Sequence, residues 1–370
     1  MSQGRDALYR LIAGEASWPP VVVPFGLDPF GWHGVQPSYR EVCDFALERC
    51  TLLPKVLPFA SPLMTGQGES AVRTTEFSEP DGSVVRRFEI PASGMPLRAE
   101  MVRTPGDTSW KTRSRWIESK DDIRGFLDLN DLTGEVPDID AVRVKESAVG
   151  DYGLPYVEVV DPFYMVSEMM PTDFFYITLR EDTDLVTALI DRTAERILGC
   201  IDMLCRDAGC PFILRLIGAE MAVPPFMSRD DFLRFEGDFY REAHRVSARY
   251  GIPTAFHCHG PVRDIMNDVW EMGYEFFEVF EPPPRGNVTI AEALDAAQGR
   301  GVVFGGIDEV LFNTGTTTEV KGAVMKCLND ARPTGQPYIL SQSATPFHDP
   351  LSLQARDNLL LFMELGVNDN

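Results

Sequence analysis

The chain has 370 residues, 44% apolar and 10% aromatic, enough for an extensive buried core in one large decorated domain. Thirty-four Lys+Arg against 56 Asp+Glu leave a formal charge of −22, which repels phosphate backbones and anionic lipid and excludes nucleic acid and membrane surfaces as favoured partners. No apolar run reaches the roughly 18 residues of a spanning helix, and Met1-Ser2-Gln3-Gly4-Arg5 has no charged-then-apolar leader pattern, so the expectation is a cytoplasmic protein.

In chain order, Pro20–Phe25 (PVVVPF) reads as a first strand and Leu52–Leu57 as a second. Residues 66–118 then lose any helical period. Val84–Ile90 alternates like a strand, and Asp81-Gly82 and Pro105-Gly106 are turn signals, so this stretch predicts a small antiparallel insertion. A lid, an oligomer contact and a loop without a role all fit it. Tyr156–Val160 is a third strand, and Thr183–Asp207 a long helix. From there the rhythm is regular: strands at Phe212–Gly218, Pro253–Cys258, Phe276–Glu281, Val302–Ile307 and Pro337–Gln342, each followed by a helical pattern. Ser228 with Asp231, Thr289 with Glu292 and Thr316 with Glu319 have the spacing of capping partners at helix starts. The helix opened by Ser228 should run until Gly251 stops it, and a last helix covers Leu353–Leu365. Eight strands alternating with helices are the arithmetic of an α/β protein, a (β/α)8 TIM barrel, with the antiparallel β insertion after the second strand and one domain over 1–370.

Chemistry in such a barrel gathers at the C-terminal strand ends. The polar residues there are Glu220, His257 and His259, Glu281, Asp308 and, on the final rim loop, His348. Only five histidines occur in the chain, and His257 and His259 stand two apart. Residues i and i+2 of a strand share a face, so both imidazoles can aim at one point with Cys258 turned away. With Glu281 from the next strand they form a two-histidine, one-carboxylate set, a zinc pattern with an open position that cobalt, iron or manganese also fits. His348 is a further candidate ligand. Glu220 and Asp308 are candidate acid–base residues, and Glu220 is equally a ligand or a partner orienting a ligand imidazole. The aromatic and Met-rich stretch 162–175, with Phe163, Tyr164 and Met165, is a candidate wall for a substrate pocket. The seven cysteines are scattered without C-x-x-C spacing and form no disulfide framework.

Gly218-Ala219-Glu220 with Ser228, His257-Cys258-His259-Gly260, Gly305-Gly306-Ile307-Asp308 and the closing strand Ile339–Ser343 together resemble the uroporphyrinogen decarboxylase superfamily over most of 150–366. The resemblance implies a TIM barrel. It also implies either decarboxylation or zinc-dependent methyl transfer, many of the methyltransferases working with a corrinoid protein. The methyltransferase motif is similar to His-x-Cys at one strand end, a Glu on the next strand, and a Cys near the last strand. By that resemblance His257 matches the first ligand, His259 stands in place of the Cys, and Glu281 is placed as the Glu. Gln342, Ser343 and Ala344 occupy the region of the final Cys. A nitrogen/oxygen site without thiolates is harder and suits polarisation of an oxygen. The arginine-rich N-terminal segment expected of the decarboxylase itself is absent from Val21–Phe30. The sequence therefore points to a metal-dependent methyltransferase-like enzyme acting on a small O- or N-methylated substrate, with a corrinoid protein or thiol as acceptor. The alternatives are a decarboxylase, of uroporphyrinogen type or of a smaller carboxylic acid, and a non-catalytic binding barrel. An oligomer is compatible with all three.

Overall fold

The computed structural model describes residues 4–16, 18–59, 72–90, 96–106, 109–129, 136–346 and 348–369. Eight strands form one parallel sheet: β1 (Val21–Val22), β2 (Lys55–Val56), β7 (Tyr156–Val160), β8 (Ile213–Ile217), β9 (Thr254–His257), β10 (Phe276–Phe280), β11 (Val302–Ile307) and β12 (Tyr338–Gln342). Their spatial order is β1-β12-β11-β10-β9-β8-β7-β2, so every strand after β2 lies beside its sequence neighbour and the sheet curls round toward its own start. The Thr51 N–H donates to the Val22 carbonyl at 2.9 Å across the seam. The (β/α)8 expectation therefore holds. β1 and β2 are shorter than expected because Pro20, Pro24, Pro54 and Pro58 flank them and cannot donate to a ladder.

Between β2 and β7 sits the antiparallel insertion, β3 (Arg73–Ser78), β4 (Val84–Ile90), β5 (Leu97–Arg103) and β6 (Lys111–Ser114), in simple meander order. The part of the expected insertion at 66–71 lies outside the described residues.

Strand parity builds two cores. The inward residues Tyr156, Ile213, Ala255, Phe276, Val302, Phe304 and Ile339 fill the barrel floor. Leu8 and Leu11 of the helix Arg5–Ile12 close it from below. The outward residues Val157, Leu214, Leu216, Phe256, Cys258 and Phe277 pack under the surrounding helices. Sealing both faces of a parallel sheet explains why its strands read as near-continuous apolar runs. All three capping boxes form, at Ser228, Thr289 and Thr316.

One helix departs from the expectation. The segment after Ser228 is two helices, Arg229–Phe235 and Gly237–Ala248, with Glu236 between them at φ −123°. Glu236 leaves the helical conformation and turns inward, where its Oε1 accepts from the Phe163 N–H at 2.7 Å. Among the described residues, no helix is long and apolar enough to cross a membrane.

Candidate metal centre at the barrel mouth

The floor of apolar side chains gives way, one pleat higher, to a charged layer. Glu158 on β7, Arg215 on β8, His257 on β9 and Glu278 on β10 all point inward and are buried. Arg215 binds Glu158 through Nη1 and Glu278 through Nε, and its Nη2 lies 2.6 Å from His257 Nδ1. Lys55 reaches Glu158 at 3.3 Å. The guanidinium packs against the faces of Phe25, 5.0 Å away, and Tyr156, 5.4 Å away. Burial works against the Arg215 charge, but Glu278 and Glu158 outweigh it and hold the group firmly protonated. Two cations thus meet two buried carboxylates, the condition for burying charge without a large penalty. The sequence reading missed this layer. Its signal was there: a single charge inside each of YVEVV, ILRLI and FFEVF.

Above the layer, three groups converge. Ligand atoms of Glu220, His257 and His259 lie within 4.8 Å of one another. Glu220 comes from the short turn of helix Ala219–Ala222 that follows β8. Gly218 makes that turn with φ +122°, where a Cβ would strike Tyr164 and Asp161. The His259 backbone N–H donates to Glu220 Oε1 at 3.0 Å and fixes the carboxylate.

Each imidazole has a carboxylate at its Nδ1. Glu278 Oε1 lies 3.0 Å from His257 Nδ1, and Glu281 Oε2 lies 3.3 Å from His259 Nδ1. Glu281 also accepts from the Gly260 N–H at 3.2 Å. Burial alone would lower the His259 imidazole, but the hydrogen bond and charge of Glu281 outweigh it and raise its pKa above the usual value. Burial would raise Glu281; its bonds to His259, Gly260 and Ser343 prevail and hold it below the usual carboxylate range. His257 is pushed well below its usual value, first by burial and then by Arg215, so it is neutral. The carboxylate at Nδ1 of His259 leaves its Nε2 to the convergent group, while Nδ1 of His257 faces both the Arg215 guanidinium and Glu278 and its Nε2 faces Glu220.

The donor set fits a divalent cation. His257 Nε2 and Glu220 Oε1 are 3.5 Å apart. Two ligands about 2.1 Å from a tetrahedral zinc stand roughly 3.4 Å apart. The carboxylate that converges with the imidazoles is therefore Glu220, while Glu281 holds His259 from behind. Cys258 is buried on the opposite face, and burial raises its thiol far above the usual value, so it supplies no thiolate.

A cavity of about 370 Å³ opens over this group, lined by Glu220, Pro224, Pro225, Phe226, His259, Gly260, Pro261, Glu281, Arg285, Glu309, Ser343 and Ala344. Asp308 sits at its edge, where Oδ2 takes Arg285 Nε at 2.9 Å and Oδ1 accepts from the Val310 N–H. Phe163, Tyr164 and Met165 do not line this cavity. Their helix, Pro162–Glu168, is capped by Asp161 and turns Phe163 and Met165 into the layer behind the barrel, where Phe163 meets Phe175 edge-on at 5.0 Å. Tyr164 is only partly buried. His348 is exposed and does not join the convergent group. Its backbone carbonyl is tied down by the Tyr39 hydroxyl at 2.9 Å, on the side of the helix Trp32–Val35.

A parallel barrel with an inward metal-ligand group at its C-terminal mouth is the frame of a large class of enzymes. The chain belongs to the uroporphyrinogen decarboxylase (URO-D) family, whose family model matches residues 120–349, more than half of its length. Among solved structures it is similar to a methyltransferase from Methanosarcina mazei, with 13% identity, TM-score 0.60, and coverage of 98% of this chain and 99% of that one. That likeness is one of fold. A broad-specificity GH5-4 endoglucanase from Clostridium acetobutylicum overlaps 57% of this chain and 84% of its own at 12% identity and TM-score 0.29, a score that carries no structural argument. No curated protein matches the sequence.

Proposed function

We propose that the chain is a metal-dependent methyltransferase-like enzyme that demethylates a small O- or N-methylated substrate, with a corrinoid protein or a thiol as methyl acceptor. The observation that carries this reading is the convergence of Glu220, His257 and His259 under an open cavity, each imidazole backed by its own carboxylate. The overlap over nearly the full length with a methyltransferase supports it. The lack of an arginine in Val21–Phe30 speaks against a polyacidic tetrapyrrole as substrate.

Zinc, or another divalent ion of similar ligand preference, would be held by Glu220, His257 and His259, and would supply Lewis acidity toward a substrate heteroatom. The remaining steps belong to the protein. Glu281 orients the His259 imidazole, and Glu278 with Arg215 orients that of His257 so that its Nε2 meets Glu220. Glu220 is positioned by the His259 N–H. Pro224, Pro225, Phe226 and Pro261 give the cavity an apolar part of its lining. To Asp308, paired with Arg285 at the rim and outside the metal group, we assign the taking and returning of a proton.

The test is metal content. Purified native protein should hold about one zinc, cobalt or iron per chain, and His257→Ala and Glu220→Ala should lose it. Native protein that takes up no metal on reconstitution sinks the proposal and leaves decarboxylation or plain binding.

A further inference from the structure

The charge at the mouth is lopsided. Glu220, Glu281 and Glu309 line the cavity, and the only cationic side chain in its lining, Arg285, is already held by Asp308 at 2.9 Å. A divalent ion on Glu220, His257 and His259 would bring two positive charges to a cavity lined by three carboxylates. Glu309 is partly buried, faces the cavity and makes no ion pair among the described residues. The lining also includes the aromatic and apolar residues Pro224, Pro225, Phe226 and Pro261. Phe226 is 49% exposed, large for a phenylalanine, and it is not loose. Its ring stacks on Tyr176 at 5.5 Å and 4°, and the Tyr176 hydroxyl donates to the Met221 carbonyl at 2.7 Å, so one ring face is braced and the ring stays presented at the cavity.

A braced aromatic ring and an unpaired carboxylate lining one small cavity, on a chain of charge −22, are the chemistry that selects an alkylated ammonium group. We propose that the substrate of this site carries a small ammonium group, held in the cavity that Phe226 and Glu309 both line, at a different point of the molecule from the heteroatom that meets the metal. This rests on the proposed function only for the second of those two points; the ammonium pocket stands without it. Anions are disfavoured by the same carboxylates, and Arg285 is not free to reverse that because Asp308 neutralises it.

Three ligands of one shape and different charge separate the possibilities: choline, its neutral carbon isostere 3,3-dimethylbutan-1-ol, and the anion 3,3-dimethylbutanoate. Calorimetric titration of the native protein should give binding of choline about tenfold or more tighter than that of the neutral isostere, and weakest binding of the anion. Phe226→Ala and Glu309→Gln, both at partly exposed positions, should each abolish most of the difference between choline and the isostere. Choline binding should survive chelation and survive in His257→Ala. Equal binding of choline and the isostere, tighter binding of the anion, or full discrimination retained in both variants overturns the proposal. If zinc binds stoichiometrically while discrimination is absent, this inference fails and the metal reading stands. If zinc never binds while discrimination depends on Phe226 and Glu309, the reverse holds.

Discussion

Glu278 Oε1 lies 3.0 Å from His257 Nδ1, and the same oxygen takes the Nε of Arg215, so the orientation of one candidate ligand is set by a charged layer buried beneath the barrel mouth. His259 has no such foundation. It sits after the strand end, and its Nδ1 is met by Glu281, itself held by the Gly260 N–H, with no buried ion-pair layer behind it among the described residues. The two imidazoles of one group therefore differ in how they respond to losing their carboxylate.

That difference is measurable on the more accessible partner. Glu281→Gln should leave the fold intact and weaken zinc binding about 10- to 100-fold, the usual cost of removing an outer carboxylate behind a ligand histidine. Glu220→Gln, which alters a ligand itself, should cost more. Competition titration against a zinc chelator gives both values. An unchanged affinity in Glu281→Gln would show that His259 needs no orienting partner.

Arg215 has the opposite profile, structural first. Arg215→Met leaves two buried inward carboxylates without their shared cation, Glu158 with Lys55 alone and Glu278 with the His257 imidazole. Removing one member of a buried charge set costs about 3–5 kcal/mol, and urea unfolding should show a loss of that size. Arg215→Lys should recover little of it, because a lysine cannot reach Glu158, Glu278 and His257 at once. A loss under about 1 kcal/mol would mean that water enters the layer and screens the carboxylates.

All eight barrel strands were legible as apolar runs because a sheet covered on both faces has no polar side to interrupt them. The same fact hid part of the site. Glu158, Arg215 and Glu278 each look like an isolated charge in a hydrophobic strand, and only the barrel register, which sets Glu158 opposite Arg215 and Glu278 opposite His257, shows that they meet. His257 and His259 stood out through their spacing, whereas the choice between Glu220 and Glu281 did not. Both are glutamates just past strand ends, and which one converges with the imidazoles depends on the turn at Gly218. The break at Glu236 was illegible for a similar reason: its cause is the Phe163 N–H, 73 residues away in sequence.

Asp161 and Glu236 make stability depend on pH. Both are buried at the start of the helix Pro162–Glu168, Asp161 accepting from the Tyr164 N–H at 2.7 Å and the Tyr240 hydroxyl at 2.8 Å. Burial, aided by the charge of Glu220 and opposed by those hydrogen bonds, pushes the Asp161 carboxyl up to about 7. Glu236 is raised too, by burial and then by Asp161. Between the unfolded value of 3.8 and about 7 the folded chain holds a proton that the unfolded chain has released, so this contribution is fully present below that window and is lost as pH rises through it. Urea unfolding should show stability falling from about pH 5 to about pH 8, by at most ~1.4 kcal/mol per unit for one group. Asp161→Asn keeps the oxygen that caps Tyr164 and should flatten the slope. Identical slopes would show that Asp161 is ionised throughout.

Cys258 decides whether the strand has been oriented correctly. It lies between the two histidines in sequence, which makes it the obvious thiolate for a metal-binding strand end. Yet parity places it in the layer under the helices with Phe256 and Val262, and its Sγ bonds only to the His259 carbonyl at 3.4 Å. Burial first, then the charges of Glu220, Asp161 and Glu281, keep it a thiol. Cys258→Ala should therefore retain about one metal per chain with unchanged affinity, at a stability cost of roughly 1 kcal/mol for the buried sulfur it removes. A cobalt-substituted protein gives a second readout, because a thiolate ligand adds an intense near-ultraviolet charge-transfer band that nitrogen and oxygen donors do not. That band should be absent from the native protein and unaltered by Cys258→Ala. Loss of metal in the variant, or a thiolate band in the native protein, would turn β9 over, bring Cys258 into the mouth, and send His257 and His259 to the helix side.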